Sequence, residues 1–483
     1  MLREARIPGY RRRTPDQALL HELVREHLET FLAELEAHPG LDLPSFCKRE
    51  LRRYLECGIL AHGFLRVSCP SCRRDSLVAF SCKGRGFCPS CGGRRMAHTA
   101  AHLIDHVLPE TPIRQWVLTL PFALRLRCAY DRELCAAVRS IFIRAVFSHL
   151  ARQARAQGIP SGAKGYHSGA VNVIQRFGGA LNLNAHFHAL FIEGVYTRAG
   201  RCAPARFHEL PPPTVKDVER VLARIHSRLR KLLQRRSEDG RDEEPLDVGD
   251  LLIHLASASV GGRQALGKDG QRLEGLFAPV APEQVDGSDK PAALVARGEG
   301  FSLHAGVAVP ADRRGRLEKL CRYIARPALA LERLRLDERG RILYELRHPY
   351  SDGRTHVVFT PREFLARLCA LIPYPRTHLL TYHGVLAPAS SWRDEVVPSP
   401  TNGVRARHGS EKPMSLDRRL RWAELMKRTF EIDVLRCECG AERRVIAFIT
   451  DPATARRILV HLGLPSEPPV SAPSRAPPML AFE

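Results

Sequence analysis

Two four-residue turns, Cys69-Pro-Ser-Cys72 and Cys88-Pro-Ser-Cys91, constrain this chain more than any other feature. A CxxC turn sets two sulfurs on one side of an ion, and zinc takes four thiolate or imidazole ligands in a tetrahedron. Two such turns close together predict a metal-stapled module rather than a conventional apolar core. Cys57 and Cys82 lie beside them and are further ligand candidates. Spacing leaves the partition open. Cys69, Cys72, Cys88 and Cys91 can close one ribbon-like site, with Cys57 and Cys82 joining His62 or His98 at a second. Across 57–98, cysteine, glycine and arginine dominate and helical periodicity is lost. Arg85, Arg94 and Arg95 stand beside the sulfurs, where phosphate contact fits. Near the other end, Cys437 and Cys439 form a CxC that supplies only two ligands. A packed turn explains that pair as well as a second metal site does.

The redox reading follows from context. Fourteen cysteines in 483 residues, behind a basic start without an apolar signal core, point to a reducing compartment and to metal ligands rather than disulfides. No run of 18 apolar residues occurs, so no membrane span is expected. The formal net charge is +22 and the pI about 9.8. Arginine supplies most of it and suits bidentate phosphate contacts, so a nucleic acid is the expected partner. The expected location is the bacterial cytoplasm, at the nucleoid.

Periodicity places the remaining elements. Residues 14–37 read as a helix, with Thr14, Pro15 and Gln17 as a start signal. A short helix is expected over 44–55, a strand over 115–120 and a long helix over 131–156. Strands are expected over 171–174 and 186–192, and a basic amphipathic helix over 215–235. The acidic stretch from Ser237 to Asp250 reads as a loop, with weak patterning to about residue 300. A helix over 313–326 stops at Pro327. Asp352-Gly353 predicts a hairpin within 341–359, and Thr360, Pro361 and Glu363 open another helix. Residues 386–412 read as a linker and Ser415 to Phe430 as a helix.

The segment Asn182-Leu-Asn-Ala-His186-Phe187-His188 carries the sharpest chemical signal. In a strand His186 and His188 share one face, while Phe187 and Phe191 turn to the other. Two imidazoles on one face can hold one metal. Alone, the pattern equally describes a structural strand with two polar residues. Lys319, Tyr323 and Arg326 follow at i, i+4 and i+7, on one face of the helix before Pro327. A phenol is a poor nucleophile at its free pKa of about 10. Cations and a metal-bound phosphate would stabilise its oxyanion.

At these residues the chain resembles the rolling-circle transposases of the insertion-sequence-ninety-one type, within the HUH (His-hydrophobic-His) nuclease superfamily. The resemblance rests on the cysteine module at 69–91, WVLTLP at 116–121, FGGALNLNAHFHALFIEGVY at 177–196 and RYIARP at 322–327. YHGVLAP at 382–388, CECG at 437–440 and DPATARRILVHLGLP at 451–465 extend it. It implies an α+β fold: an HUH core of central antiparallel sheet and flanking helices, preceded by a helical, zinc-binding module. It implies a zinc-binding DNA-binding domain over 1–110 and a catalytic domain over 111–385. A linker, helix and CxC region over 386–465 follows, and the Pro- and Ser-rich composition of 466–483 reads as a disordered tail. The implied activity is nicking and rejoining of single-stranded DNA at element ends through a 5′-phosphotyrosine. His186 and His188 would hold Mg²⁺ or Mn²⁺, Zn would be structural, and self-association is compatible. Gln175, on the preceding strand, is the candidate third ligand, although an amide there serves a structural role equally well. Many relatives carry two tyrosines four residues apart. Tyr323 matches the second and Lys319 stands at the first, which implies a single-tyrosine branch. A plasmid or phage replication initiator, or a relaxase, would use the same chemistry. A non-catalytic zinc-dependent DNA-binding protein would keep only the charge and the cysteines.

Overall fold

The computed structural model describes residues 13–37, 42–162, 165–200, 203–240, 246, 248–266, 273–276, 294–350, 352–398, 427–428 and 433–475. The helices are α1 (Leu19–Glu36), α2 (Ser45–Leu55), α3 (Pro89–His106), α4 (Phe122–Tyr130), α5 (Arg132–Ala156), α6 (Val215–Glu238), α7 (Asp250–Gly261), α8 (Arg314–Ile324), α9 (Pro361–Leu371), α10 (Arg393–Val396) and α11 (Pro452–His461). The strands are β1 (Phe64–Ser68), β2 (Asp75–Ala79), β3 (Ile113–Thr119), β4 (Gly169–Phe177), β5 (Leu183–Ile192), β6 (Gly194–Thr197), β7 (Arg206–Glu209), β8 (Gly275–Leu276), β9 (Val295–Gly298), β10 (Phe301–Val309), β11 (Leu334–Leu336), β12 (Ile342–Glu345), β13 (His356–Phe359), β14 (Leu380–Gly384) and β15 (Arg444–Ile449).

The fold is α+β. Its centre is a six-stranded antiparallel sheet in the order β14-β4-β5-β3-β10-β9. Strand alternation gives this sheet two different faces. On one, Trp116, Leu118, Phe187, Phe191 and Leu303 pack with Phe142 and Val146 of α5 and with Val221 and Ile225 of α6. On the other, Val171, Val173, Leu190 and Ile192 pack with Leu103 and Ile104 of α3 and with Leu317, Cys321 and Ile324 of α8. Helix α5 is long and apolar enough to cross a membrane. Its stripe from Leu134 through Val138, Phe142 and Val146 is buried in this core instead. The helical N-terminal region shares a second core with α7 and α9, joining Leu28 and Phe31 to Leu252, Phe364 and Leu368. A three-stranded sheet, β15-β1-β2, pairs chain segments far apart in sequence.

Most expected elements form, and the differences have local causes. Thr14 caps nothing through its side chain; Pro15–Gln17 is a 3-10 turn and the helix starts at Leu19. The non-helical reading of 57–98 ends too late, because the second CxxC opens α3: Cys88 is its N-cap and Pro89 its first residue. Helix α4 precedes α5, which begins where Asp131 accepts the Leu134 amide. Helix α7 lies inside the weakly patterned region. The hairpin forms as β12 and β13. At Thr360 only half of the capping box forms, since Glu363 accepts the Ala265 amide instead. The helix expected over 415–430 lies outside the described residues except for 427–428, as do 399–412 of the linker and 476–483 of the tail. Within the stretch expected as tail, Arg475 pairs with Glu26 and the Ala472 amide bonds the Arg25 carbonyl.

Candidate active site and cysteine clusters

Register fixes what the histidines face. His188 lies opposite Val173 on β4 and Val117 on β3, and His186 lies opposite Gln175 and Thr119. Paired residues of adjacent strands share a face, so His186, His188 and Gln175 emerge together on the side covered by α3 and α8. The two imidazole centroids are 4.8 Å apart. His186 Nδ1 donates to the Asn184 carbonyl at 2.7 Å, which leaves Nε2 with a free lone pair. The Gln115 amide meets His188 Nδ1 at 2.8 Å. The contacting atom is the amide nitrogen, which donates to Nδ1; turning that amide over, so that its oxygen accepts from Nδ1, would free His188 Nε2 for a metal. His188 Nε2 and Gln175 Oε1 are buried without a hydrogen-bond partner among the described residues. Burial lowers the His186 pKa to about 4, and burial with the neighbouring His186 lowers that of His188 well below its ordinary value. Both rings are therefore neutral at physiological pH. His186 Nε2, the His188 ring and the unpartnered Gln175 oxygen are the groups on this face that could hold a divalent cation.

Helix α8 carries the tyrosine to this face. Leu317, Cys321 and Ile324 form its buried stripe and dock on the sheet. Tyr323 is left at the helix end, 39% exposed. Its ring lies 6.2 Å from His188, centroid to centroid, nearly perpendicular. Gln175 Nε2 donates to the carbonyls of Tyr323 (3.2 Å) and Ile324 (2.7 Å), satisfying helix-end acceptors and binding the last turn to β4. The expected shared helical face of Lys319, Tyr323 and Arg326 is only partly realised. The helix stops at Ile324, in keeping with the bias against helical conformation before Pro327. Arg326 reaches the tyrosine from the following loop, its guanidinium 4.2 Å from the ring centroid. Lys319 stays exposed one turn earlier, in an open groove of about 850 Å³ with Arg313, Arg316, Arg322 and Arg428. The sequence reading missed Arg347, whose guanidinium lies 5.4 Å from the same ring. Only the hairpin following α8 brings it there, and no spacing signals it. Of the other tyrosines, Tyr344 is fully buried and Tyr382 lies on edge strand β14.

The sulfurs divide differently from the ribbon-like partition. Cys57, Cys82, Cys88 and Cys91 form one group, all within 4.8 Å of one another. Individual separations are 3.7 Å (Cys57 to Cys88), 3.9 Å (Cys57 to Cys91) and 3.5 Å (Cys82 to Cys91). Tetrahedral zinc with bonds of about 2.3 Å needs sulfurs about 3.8 Å apart. Cys69 and Cys72 are not in this group; they meet Cys437 and Cys439. His62 and His98 join neither. A CxxC turn fixes only its own two sulfurs, so the partner pair is set by the path of the chain between them. The first cluster also bears on the tyrosine. Gly92, one residue after Cys91, lies against Pro327, and a Cβ built on it would sit 2.6 Å from the proline Cβ. Around the cluster, Arg85 donates to the Thr377 carbonyl and Arg95 to the Gly84 carbonyl. Arg94 is held beside Cys91.

Two family models match the chain. Residues 23–120 match the transposase zinc-binding domain of the IS91 group. Residues 169–393 match the transposase family Y2_Tnp. The first span holds Cys57 through Cys91 and the second holds Gln175, His186, His188 and Tyr323. No curated protein and no solved structure matches.

Proposed function

The chain belongs to the IS91-type transposases, and from that premise we propose that it nicks and rejoins single-stranded DNA through Tyr323. The observation that carries the reading is the stacking of three things on one sheet face: the histidine pair, the orphaned Gln175 oxygen and the tyrosine ring 6.2 Å from His188. His186 Nε2, His188 Nε2 and Gln175 Oε1 would hold Mg²⁺ or Mn²⁺, which supplies positive charge to polarise the scissile phosphate. The Tyr323 hydroxyl attacks phosphorus and loses its proton. The leaving strand departs as a 3′-hydroxyl and takes up a proton, and the 5′ end stays on the tyrosine. Arg326 and Arg347, over the ring, stabilise the phenolate that forms. A new 3′-hydroxyl attacking the phosphotyrosine reverses the step and rejoins DNA. With Lys319 in place of a second tyrosine, one covalent link exists at a time. Arg313, Arg316, Lys319 and Arg322 along α8 suit the phosphates of the entering strand. Cys57, Cys82, Cys88 and Cys91 hold a structural zinc that buttresses the tyrosine segment through Gly92 and Pro327.

The test is incubation with single-stranded oligonucleotides covering the element ends plus Mg²⁺ or Mn²⁺, scored for a protein–DNA adduct. The wild type forms the adduct; Tyr323→Phe forms none yet still binds the DNA. An adduct persisting in Tyr323→Phe moves the nucleophile elsewhere. A wild type that binds DNA and forms no adduct with either metal makes the chain a DNA-binding protein without this chemistry.

A further inference from the structure

Cys437 and Cys439 lie outside both matched spans, yet they complete a cluster with Cys69 and Cys72. The Sγ atoms of Cys69 and Cys439 are 3.5 Å apart, and so are those of Cys72 and Cys437. All four fall within 4.8 Å of one another. A disulfide requires about 2.05 Å, whereas four thiolates around zinc sit about 3.8 Å apart.

The backbone is arranged for ligation on both sides. The Arg73 amide donates to the Cys69 carbonyl at 2.9 Å and the Gly440 amide to the Cys437 carbonyl at 2.9 Å, closing a turn around each pair. Each pair ends in a residue of left-handed conformation, Arg73 (φ 59°) after Cys72 and Gly440 (φ 88°) after Cys439. The Cys57 cluster has the same feature at Lys83 (φ 56°), after Cys82. A non-glycine side chain takes this conformation only where its surroundings impose it.

The fold around these sulfurs is thin. Strand β1 stops at Ser68, next to Cys69, and Ser68 pairs with Arg444, the first residue of β15. Among the described residues, Leu60, Phe64, Leu77, Ala455 and Leu459 are the buried core beneath this sheet, with Ala79, Ile449, Ile458 and Leu464 packed partly buried against it. Val445, Ile446 and Phe448 of β15 are each at least 40% exposed. A three-stranded sheet with so small a core is marginal without a staple.

We propose that Cys69, Cys72, Cys437 and Cys439 hold a second structural zinc ion, which clasps the segment after the catalytic region to the module before it. Binding releases the thiol protons to solvent and changes no oxidation state. The clasp joins residues up to 370 positions apart, the kind of long closure from which a metal clip gains most. It stands independently of the nucleophile, because its readouts are metal content and proteolysis.

The experiment is native mass spectrometry of the full chain purified under reductant, with cobalt substitution to read tetrahedral thiolate bands. Wild type carries two zinc ions per chain. Cys437→Ser with Cys439→Ser carries one, loses about half of the thiolate–cobalt absorbance, and exposes the segment from 433 onward to protease while the rest stays protected. Should that double variant not fold, Cys439→Ser and Cys439→His decide: the serine loses the second ion and the histidine, still a ligand, keeps it. Two zinc ions retained in the serine variants, or a wild type with disulfides Cys69–Cys439 and Cys72–Cys437 in reductant, overturns the clasp.

Discussion

At the scale of single residues, the tyrosine is governed by side chains that its own helix does not supply. Gln175 has one amide end fixed on the carbonyls of Tyr323 and Ile324, while its oxygen is buried without a partner among the described residues. Gln175→Leu removes both the tether and a donor atom. It should raise the metal concentration for half-maximal adduct formation about 10- to 100-fold, the usual cost of disturbing the surroundings of a bound metal, as read in a metal titration. Arg347→Ala removes a cation from the ring face. It should slow adduct formation about two- to fivefold with little change in DNA affinity, since a cation–π contact between exposed groups contributes about 0.5–1 kcal/mol. An unchanged single-turnover rate would take Arg347 out of the chemistry. The placement of His186, His188 and Gln175 on one sheet face, and of Tyr323 near a helix end, was legible in the sequence, because strand alternation and a helix ending before a proline are local. Arg347 was not, because its approach depends on how a hairpin folds back.

At the scale of elements, one contact couples the first cysteine cluster to the tyrosine. Helix α3 starts in that cluster and its Gly92 meets Pro327, three residues beyond the helix α8. Gly92→Val has no room against the proline ring. It should slow adduct formation while leaving the zinc content unchanged, a pair of readouts that separates docking from metal loss. Helix α6 offers a contrast. Its capping box, Thr214 with Asp217, lies on an exposed helix start remote from the histidine face. Thr214→Ala should cost about 1 kcal/mol in urea denaturation and leave the adduct rate untouched. Helix α6 was readable from its apolar stripe. The start of α3 was not, because cysteine and glycine carry no helical period and the Cys88 cap announces itself only once the sulfurs are seen together.

At the scale of the whole molecule, burial of ionisable groups sets an acid limit. His149, on the buried face of α5, is 1% exposed beside Trp116, and burial lowers its pKa to about 4. Its unfolded value is 6.5. The unfolded chain therefore takes up this proton first, and stability is lost as pH falls from 6.5 towards 4. At pH 4.5 the loss from this one group is on the order of 2–3 kcal/mol. His149→Gln should make the slope of stability against pH shallower by one proton across that window, measured by denaturation at several pH values. An unchanged slope would mean that the ring is already protonated in the fold.

The sequence by itself determined the chemistry of the parts. Alternation in β5 puts His186 and His188 on one face, the CPSC turns fix two sulfurs each, and the arginine excess selects a polyanionic partner. Tertiary structure alone decided which sulfurs meet, which arginines stand over Tyr323, and that the segment carrying Cys437 and Cys439 returns to β1. The physical reason is range. Backbone periodicity and turn geometry act over a few residues and leave a readable pattern. The meeting of Cys69 with Cys439 depends on the summed path and packing of everything between them, which no spacing records.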